Sequence, residues 1–190
     1  ETLSVEAEPV MTGPDAGITS TDPTREEGVM RALVVYESMF GNTQAVARAV
    51  AEGMSPRLAT EVVEVGTAPA TVDQDVSVLV VGAPTHGMTL SRPDTRESAA
   101  RQSPKPLVSQ GIGVREWLAS AQLPAGLPVA TFDTRVKPRI PGSAARTTQR
   151  HLRALGCHVI MPPKDFWVTW RPGYLRDGEL GRARRWGAQV

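Results

Sequence analysis

A short polar segment between an apolar run and a helical pattern carries the strongest chemical signal in the sequence. It runs from Ser38 through Gly41 to Asn42 and Thr43. At a helix N-terminus, free backbone N–H groups and the helix dipole favour an anion, most often a phosphate. The two hydroxyls and the Asn42 amide add donors, and Gly41 lets the backbone approach a ligand closely. The segment therefore predicts a phosphate site; the alternative is a capped helix that binds no ligand.

Other chemistries fit this segment poorly. No lysine follows Gly41, so it is not the phosphate loop of nucleoside triphosphatases, and the dinucleotide pattern G-x-G-x-x-G is also missing. The sequence has no serine or cysteine nucleophile with a base at a suggestive spacing, which disfavours hydrolysis. Whether the protein is an enzyme stays open at this point.

The elements that must position this segment alternate along the chain. Short, β-branched apolar runs are typical of strands buried on both faces of a sheet. Strands are predicted at 31–36, 60–65, 76–82, 128–132 and 157–161, and helices at 42–52, 111–121, 143–155 and 178–188. This alternation predicts an α/β fold with a doubly wound parallel sheet. Residues 70–75 make a poor helix, so a mostly loop crossover is expected there, and residues 88–110 are expected to form a long connection with a functional role.

In such a sheet, ligands bind outside the carboxyl ends of the strands. Three segments occupy that position, namely residues 37–43, 83–88 and 133–139. The sequence therefore predicts that these three segments form one site.

The first segment, Tyr36-Glu-Ser38-x-x-Gly41-Asn42-Thr43, resembles the phosphate loop of the flavodoxin family. The second, Gly82-Ala-Pro84-Thr85-His86-Gly87, is similar to the family loop that lines the isoalloxazine ring, and Thr131-Phe-Asp-Thr-Arg135 takes the place of the other ring loop. The resemblance covers residues 30–190. It implies a flavodoxin-like, three-layer α/β/α domain with five parallel strands in the order 2-1-3-4-5.

The resemblance also implies non-covalently bound FMN. The cofactor-binding residues that it implies are Ser38, Met39, Phe40, Gly41, Asn42, Thr43, Pro84, Thr85, His86, Gly87, Phe132, Asp133, Thr134 and Arg135. The activity that it implies is electron transfer to a redox partner protein or reduction of a small quinone-like acceptor. The alternative is a flavin-free module of the same fold that binds a protein partner or another phosphate ligand.

More closely, the chain resembles a bacterial group of stand-alone flavodoxin-domain proteins. The shared segments are Ser91-Arg-Pro-x-Thr-Arg96, Phe132-Asp-Thr-Arg-Val136, Pro141-Gly-Ser-Ala144 and Gly178-Glu-Leu-x-Arg-Ala-x-x-Trp-Gly187. Flavodoxins that act as carriers stack an aromatic side chain on the flavin from each ring loop. Here the loops offer His86, Met88 and Phe132, so a more open ring face is expected, closer to flavodoxin-like quinone reductases.

The formal net charge of +1 hides an asymmetry. Residues 1–29 hold seven acids and one base, a net charge of −6, whereas residues 30–190 hold 20 bases and 13 acids, a net charge of +7. The first part lacks any apolar periodicity, which predicts a disordered acidic extension. The alternatives are that Met30 is the natural start, or that the acidic tail folds back on the basic domain. The basic domain differs from the acidic carriers of the family, and a positive field would raise the flavin potential and suit an acidic partner.

Composition excludes several classes of protein. No apolar stretch is long enough to span a membrane, the single cysteine excludes an internal disulfide or a cysteine metal cluster, and the 5% aromatic content disfavours RNA binding by base stacking. The N-terminal segment has no apolar core flanked by basic residues, so it is not a secretory signal. With the resemblance, these features predict a cytoplasmic protein that binds no nucleic acid.

Several single residues admit two interpretations. His86 either bonds the flavin and relays a proton or simply faces solvent. Asp133 and Arg135 form either a pair that shapes the ring pocket or a purely structural pair. Arg92 and Arg96 are expected to be solvated, the alternative being that they reach the site, and Cys157 is expected to be an inert buried thiol. At least one of Trp167 and Trp170 is expected in the core, while the other either joins it or caps a pocket. A solvated face is expected for three arginines of the last helix, the alternative being a partner or membrane surface: Arg182, Arg184 and Arg185.

Overall fold

The computed structural model describes residues 30–137, 142–169 and 173–190. The predicted acidic extension (1–29), Arg139, Pro141 and Trp170 lie outside these residues. The strands are β1 (Arg31–Tyr36), β2 (Ala59–Glu64), β3 (Val76–Pro84), β4 (Pro128–Val136), β5 (His158–Val159) and β6 (Lys164–Val168). The helices are α1 (Asn42–Met54), α2 (Pro93–Gln102), α3 (Val114–Ser120), α4 (Ala144–Ala154) and α5 (Glu179–Gly187).

The strands form one parallel sheet in the order β2-β1-β3-β4-β5, which confirms the predicted topology. The sheet has six strands rather than five: the predicted strand at 157–161 is reduced to β5, and a second piece, β6, follows at residues that were not predicted to form a strand. β5 pairs with the first two residues of β4, and β6 then pairs with Phe132–Val136 of the same strand. Pro162 and Pro163 lie between the two pieces, and proline cannot donate to the ladder.

Helices cover both faces of the sheet, as a sheet of continuous apolar runs requires. α1 and α5 bury one face, with Val34, Val80 and Phe132 in that layer of the core. α3 and α4 bury the other face around Leu33, Leu79 and Val129. The three-layer α/β/α prediction is therefore confirmed. Within the described ranges, no helix is long and apolar enough to cross a membrane.

Two connections differ in how well the sequence predicted them. The crossover after β2 contains only a 3-10 turn, Val65–Thr67, as expected. The connection at 88–110, by contrast, contains α2, which the sequence analysis missed. Pro93 occupies the first helical turn, where its missing N–H costs nothing, and the Thr95 hydroxyl accepts a hydrogen bond from Arg92 N at 2.8 Å.

β4 also extends beyond its predicted end at residue 132. Pairing with β6 continues the ladder to Val136, so Phe132, Asp133, Thr134 and Arg135 belong to a strand and not to a loop. Their side chains therefore alternate between the two faces of the sheet. This alternation decides which of the four side chains reach the site.

Candidate functional site

The predicted phosphate segment joins β1 to the first turn of α1. Gly41 precedes α1 with φ of +91°, and a Cβ there would meet no atom within 4 Å. Its N–H donates to Ser38 Oγ at 3.1 Å, and its carbonyl accepts from Ala45 N at 2.9 Å. A left-handed conformation at this position favours glycine. The turn therefore leaves an open space in front of the helix N-terminus.

Backbone donors face that space. Among the described residues, the N–H groups of Met39, Phe40, Asn42 and Thr43 have no hydrogen-bond acceptor. The first turn of any helix leaves such groups unpaired, here those of Asn42 and Thr43, which carry the positive end of the helix dipole; Met39 and Phe40 lie in the turn before the helix. A phosphate group accepts several hydrogen bonds at once, so this donor set fits one.

Val108 and Ser109, which follow α2, fix the phosphate loop by hydrogen bonds. Ser109 N donates to Ser38 O at 2.8 Å, Ser38 N donates to Ser109 Oγ at 2.9 Å, and Val108 N donates to Met39 O at 3.0 Å. The Met39 side chain packs against Ala99 and Leu107. Met39 thus contributes packing behind the loop as well as a backbone donor. No sequence signal pointed to Ser109.

A buried polar network extends from the same loop. Glu37 is completely buried, and its carboxylate accepts hydrogen bonds from Ser91 Oγ and, at 2.8 Å, from Val114 N. Arg96 donates to Ser91 Oγ at 2.9 Å and pairs with Glu116 at 3.1 Å. Burial raises the pKa of Glu37, although these donors and Arg96 oppose the shift. Arg96 is buried, so its predicted solvated position is wrong.

The carboxyl end of β3 supplies the second wall. Thr85 N donates to Thr134 O at 3.0 Å, and two backbone hydrogen bonds join His86 to Thr89 across a turn. Gly87 and Met88 adopt φ of +50° and +76° in that turn. Burial, and secondarily the charge of Arg96, lowers the pKa of His86, so its imidazole is neutral at pH 7.

The four predicted residues of β4 have different places. Thr134 faces α1 and shares a 2.7 Å hydrogen bond with the Thr43 hydroxyl. Arg135 pairs with Asp165 at 2.7 Å and Asp133 at 3.5 Å, and its guanidinium lies 5.4 Å from the centre of the Trp167 ring. These two residues, Thr134 and Arg135, reach the cleft.

Phe132 and Asp133 do not line the cleft, contrary to the prediction. The Phe132 ring is completely buried, with its centroid 5.8 Å from that of Phe166 and 6.1 Å from that of Trp186. The Asp133 carboxylate accepts from Ser143 Oγ at 2.6 Å and Thr85 Oγ1 at 2.9 Å. Burial raises the pKa of Asp133. Through these two hydrogen bonds, Asp133 positions the β3 loop and the start of α4.

These walls enclose a cleft of about 170 Å³. Ten of the fourteen predicted residues line it: Ser38, Met39, Phe40, Asn42, Thr43, Pro84, Thr85, His86, Thr134 and Arg135. Gly41 and Gly87 belong to its loops without lining it. Sequence reasoning missed Val136, Val168, Thr169 and Gly173, although the residues after β6 end at the same edge of the sheet. Asn42 Nδ2 donates to Gly173 O, so this side chain is already engaged.

Comparisons with known proteins identify the fold but give no closer relative. No protein-family model matches the chain, and no curated protein matches it. A flavodoxin from the domain Archaea is 22% identical, with a TM-score of 0.58 over 85% of this chain and 96% of its own. Oxidised flavodoxin 1 from Bacillus cereus is 18% identical, with a TM-score of 0.60 over 84% and 95%.

A third similar structure is the flavodoxin of Streptococcus pneumoniae TIGR4. It is 18% identical, with a TM-score of 0.57 over 84% of this chain and 99% of its own. Nearly the whole length of each flavodoxin is covered, and the strand order is the one described above. The chain therefore has the flavodoxin-like fold, with its cleft at the carboxyl ends of β1, β3 and β4.

Proposed function

We propose that the protein binds FMN non-covalently in this cleft and acts in electron transfer or in the reduction of a quinone-type acceptor. The observation that carries the proposal is the unpaired donor set of the phosphate loop: the N–H groups of Met39, Phe40, Asn42 and Thr43 have no acceptor among the described residues, and all four residues line the cleft. When bound, FMN would supply the redox chemistry, and the protein would supply orientation and solvent access.

The phosphate would be held without a cationic side chain. Residues 38–43 contain no lysine or arginine, so backbone N–H groups and the hydroxyls of Ser38 and Thr43 are the donors that remain. Thr134 fixes the Thr43 hydroxyl by the 2.7 Å hydrogen bond between them. With Thr134 as the donor of this hydrogen bond, the Thr43 proton stays available to a phosphate.

The ring would lie against the β3 loop and the end of β4. His86, neutral at pH 7, offers one donor and one acceptor there. Arg135 brings a positive charge to the cleft, which the carboxylates of Asp133 and Asp165 offset. The cleft of about 170 Å³ is smaller than the roughly 300 Å³ at which typical ligand pockets begin. Part of the flavin would therefore stay outside it, open to a partner or substrate.

A flavin-free module remains the second candidate, and one observation favours it. Phe132, the aromatic residue assigned to the second ring loop, is in the core and cannot stack on a flavin. The visible spectrum of the protein purified with adequate riboflavin, before and after addition of FMN, separates the two candidates. Flavin absorbance that stays with the protein supports FMN binding, and its absence after FMN addition contradicts it.

Thr43→Val is expected to weaken FMN binding by about 1.5–2 kcal/mol, because it removes a hydrogen bond to a charged phosphate. Quenching of flavin fluorescence on titration measures this loss. Thr60→Val is the matched control: Thr60 lies in β2 and its hydroxyl donates only to Leu58 O. Equal affinities for both variants would place the phosphate elsewhere.

A further inference from the structure

Charge is distributed unevenly around the fold. Residues 117–164 contain seven lysines and arginines and one acid, Asp133, which is completely buried. On α4 the arginines stand at 146, 150 and 153, and Lys137 follows β4; all four are exposed. We call Lys137, Arg146, Arg150 and Arg153 the basic face. Within the described ranges, none of these four side chains forms an ion pair.

Several basic side chains elsewhere in the fold do form ion pairs, although Arg48, Lys105 and Arg185 are exposed and form none within the described ranges. On α5, Arg182 pairs with Glu179 at 2.6 Å, and Arg184 pairs with Glu52 of α1. At the β2 edge of the sheet, Arg31 pairs with Glu61 at 2.8 Å and with Asp75 at 2.8 Å. Acids are therefore available for pairing along the β2 edge and on α1 and α5, but α4 itself carries none.

The spacing on α4 is unfavourable for an isolated helix. Arg146 and Arg150 are four residues apart, and Arg150 and Arg153 are three apart, so like charges meet on one face. Each such pair destabilises a helix by about 0.2–0.5 kcal/mol. An acidic surface placed against this face would remove the repulsion and gain attraction.

The first turn of α4, which carries Arg146, begins beside the cleft, and the contacts that place it there are made by the buried side of the helix. The Ala144 N–H at the start of α4 donates to Thr85 Oγ1 at 2.9 Å, and the Thr147 hydroxyl lies 3.2 Å from that of Thr89. Thr85 lines the cleft, so a molecule on the first turns of α4 would also lie at the β3 loop.

Two exposed apolar side chains flank the face. Met88, in the β3 loop at the start of α4, is 56% exposed, and Leu155, which ends α4, is 39% exposed. Arginine and methionine are enriched in protein–protein interfaces. By contrast, α4 carries no phenylalanine, tyrosine or tryptophan, and His151 is its one ring on which a nucleic acid base could stack. This combination favours a protein partner over a nucleic acid.

We propose that the basic face is the docking surface for an acidic partner protein, which it would bring against the cleft. The assignment of that partner as a redox partner rests on the proposed FMN function. The field of the face would steer the encounter, so association should weaken with rising ionic strength. The basic face thus contributes four positive charges to residues 30–190, whose net charge is +7.

The test uses a fluorescent 15-residue peptide of alternating Glu and Gly as the probe, with anisotropy measured at low salt. We expect Arg146→Gln/Arg150→Gln/Arg153→Gln to weaken binding about tenfold. The matched control, Arg48→Gln/Lys105→Gln/Arg185→Gln, removes three exposed charges from other faces and is expected to weaken binding less than threefold. Equal losses in the two triple variants would overturn the proposal.

Cross-linking locates the peptide independently. A carbodiimide joins carboxylates to lysine amines, and the chain has only three lysines, at 105, 137 and 164. We expect the adduct on Lys137; adducts mainly on Lys105 or Lys164 would contradict the proposal. A 15-base-pair DNA duplex that binds more tightly than the peptide, and loses affinity in the same triple variant, would replace the protein partner with a nucleic acid.

Peptide binding is measured with and without added FMN, which separates the two proposals. Protein that binds the peptide at Lys137 but takes up no FMN retains the docking surface and contradicts the FMN function. Protein that binds FMN but shows no charge-dependent peptide binding retains the FMN function and contradicts the docking surface.

Discussion

Glu37→Ala is expected to lower the free energy of unfolding by about 3–5 kcal/mol, as measured by urea denaturation. The carboxylate is completely buried and accepts hydrogen bonds from Ser91 Oγ and Val114 N. Its removal leaves both donors without that acceptor, takes a negative charge away from the buried cation of Arg96, and creates a cavity next to the phosphate loop. These effects act in the same direction.

Two further variants test whether the loss of stability comes from the hydrogen-bond network of Glu37 or only from the loss of a negative charge. Glu61→Ala removes an exposed carboxylate that pairs with Arg31 at 2.8 Å, and it is expected to lower stability by less than about 1 kcal/mol. Glu37→Gln keeps the side-chain shape and one acceptor oxygen, so an intermediate loss is expected. If Glu37→Ala destabilises no more than Glu61→Ala, the network does not hold this part of the fold together.

The pH dependence of stability follows from the same burial. Since burial raises the pKa of Glu37 above its usual 4.5, the folded protein holds the proton more tightly than the unfolded chain does. The resulting stabilisation is complete below pH 4.5 and is lost as the pH rises through the raised pKa. Glu37→Gln does not titrate, so denaturation curves across this interval should show a weaker decline for it than for the wild type. An equal decline of stability with pH in Glu37→Gln and the wild type would contradict the raised pKa of Glu37.

The fold was predictable because its signals are local. The apolar run at 31–36 and the alternation of strands with helices depend only on neighbouring residues, and they predicted the parallel sheet. The strand order was implied by the resemblance to the flavodoxin family. The phosphate loop was predictable for the same reason: a strand, a glycine and a helix N-terminus are consecutive in the chain.

What could not be predicted depends on contacts distant in sequence. Phe132 belongs to the core because β6 extends the ladder of β4 and brings Phe166 beside it. Arg96 is buried because its guanidinium pairs with Glu116 of α3, while the helix that carries Arg96, α2, was itself not predicted. The residues after β6 reach the cleft only once the sheet is assembled. Composition and periodicity contain no information on these pairings.

Helices α1 and α5 approach each other closely at two glycines. A Cβ on Gly187 of α5 would overlap the backbone carbonyl of Val50, and one on Gly53 of α1 would overlap that of Arg184. Both overlaps are with backbone atoms, which cannot move aside as a flexible side chain can. The contact buries Ala183 and Trp186 against the sheet, so the helices cannot separate without exposing core.

Gly187→Ala is therefore expected to lower the free energy of unfolding by about 3 kcal/mol, near the upper end of the usual range for overpacking. Gly53→Ala is expected to lower the free energy of unfolding slightly less, because alanine is more favourable than glycine in a helix by up to about 1 kcal/mol. Gly181→Ala, in the same α5, is the control: its Cβ would meet only the end of the Arg185 side chain at 3.4 Å. It should be neutral or stabilising in urea denaturation, and a loss equal to that of Gly187→Ala would show that the close helix contact is not the cause.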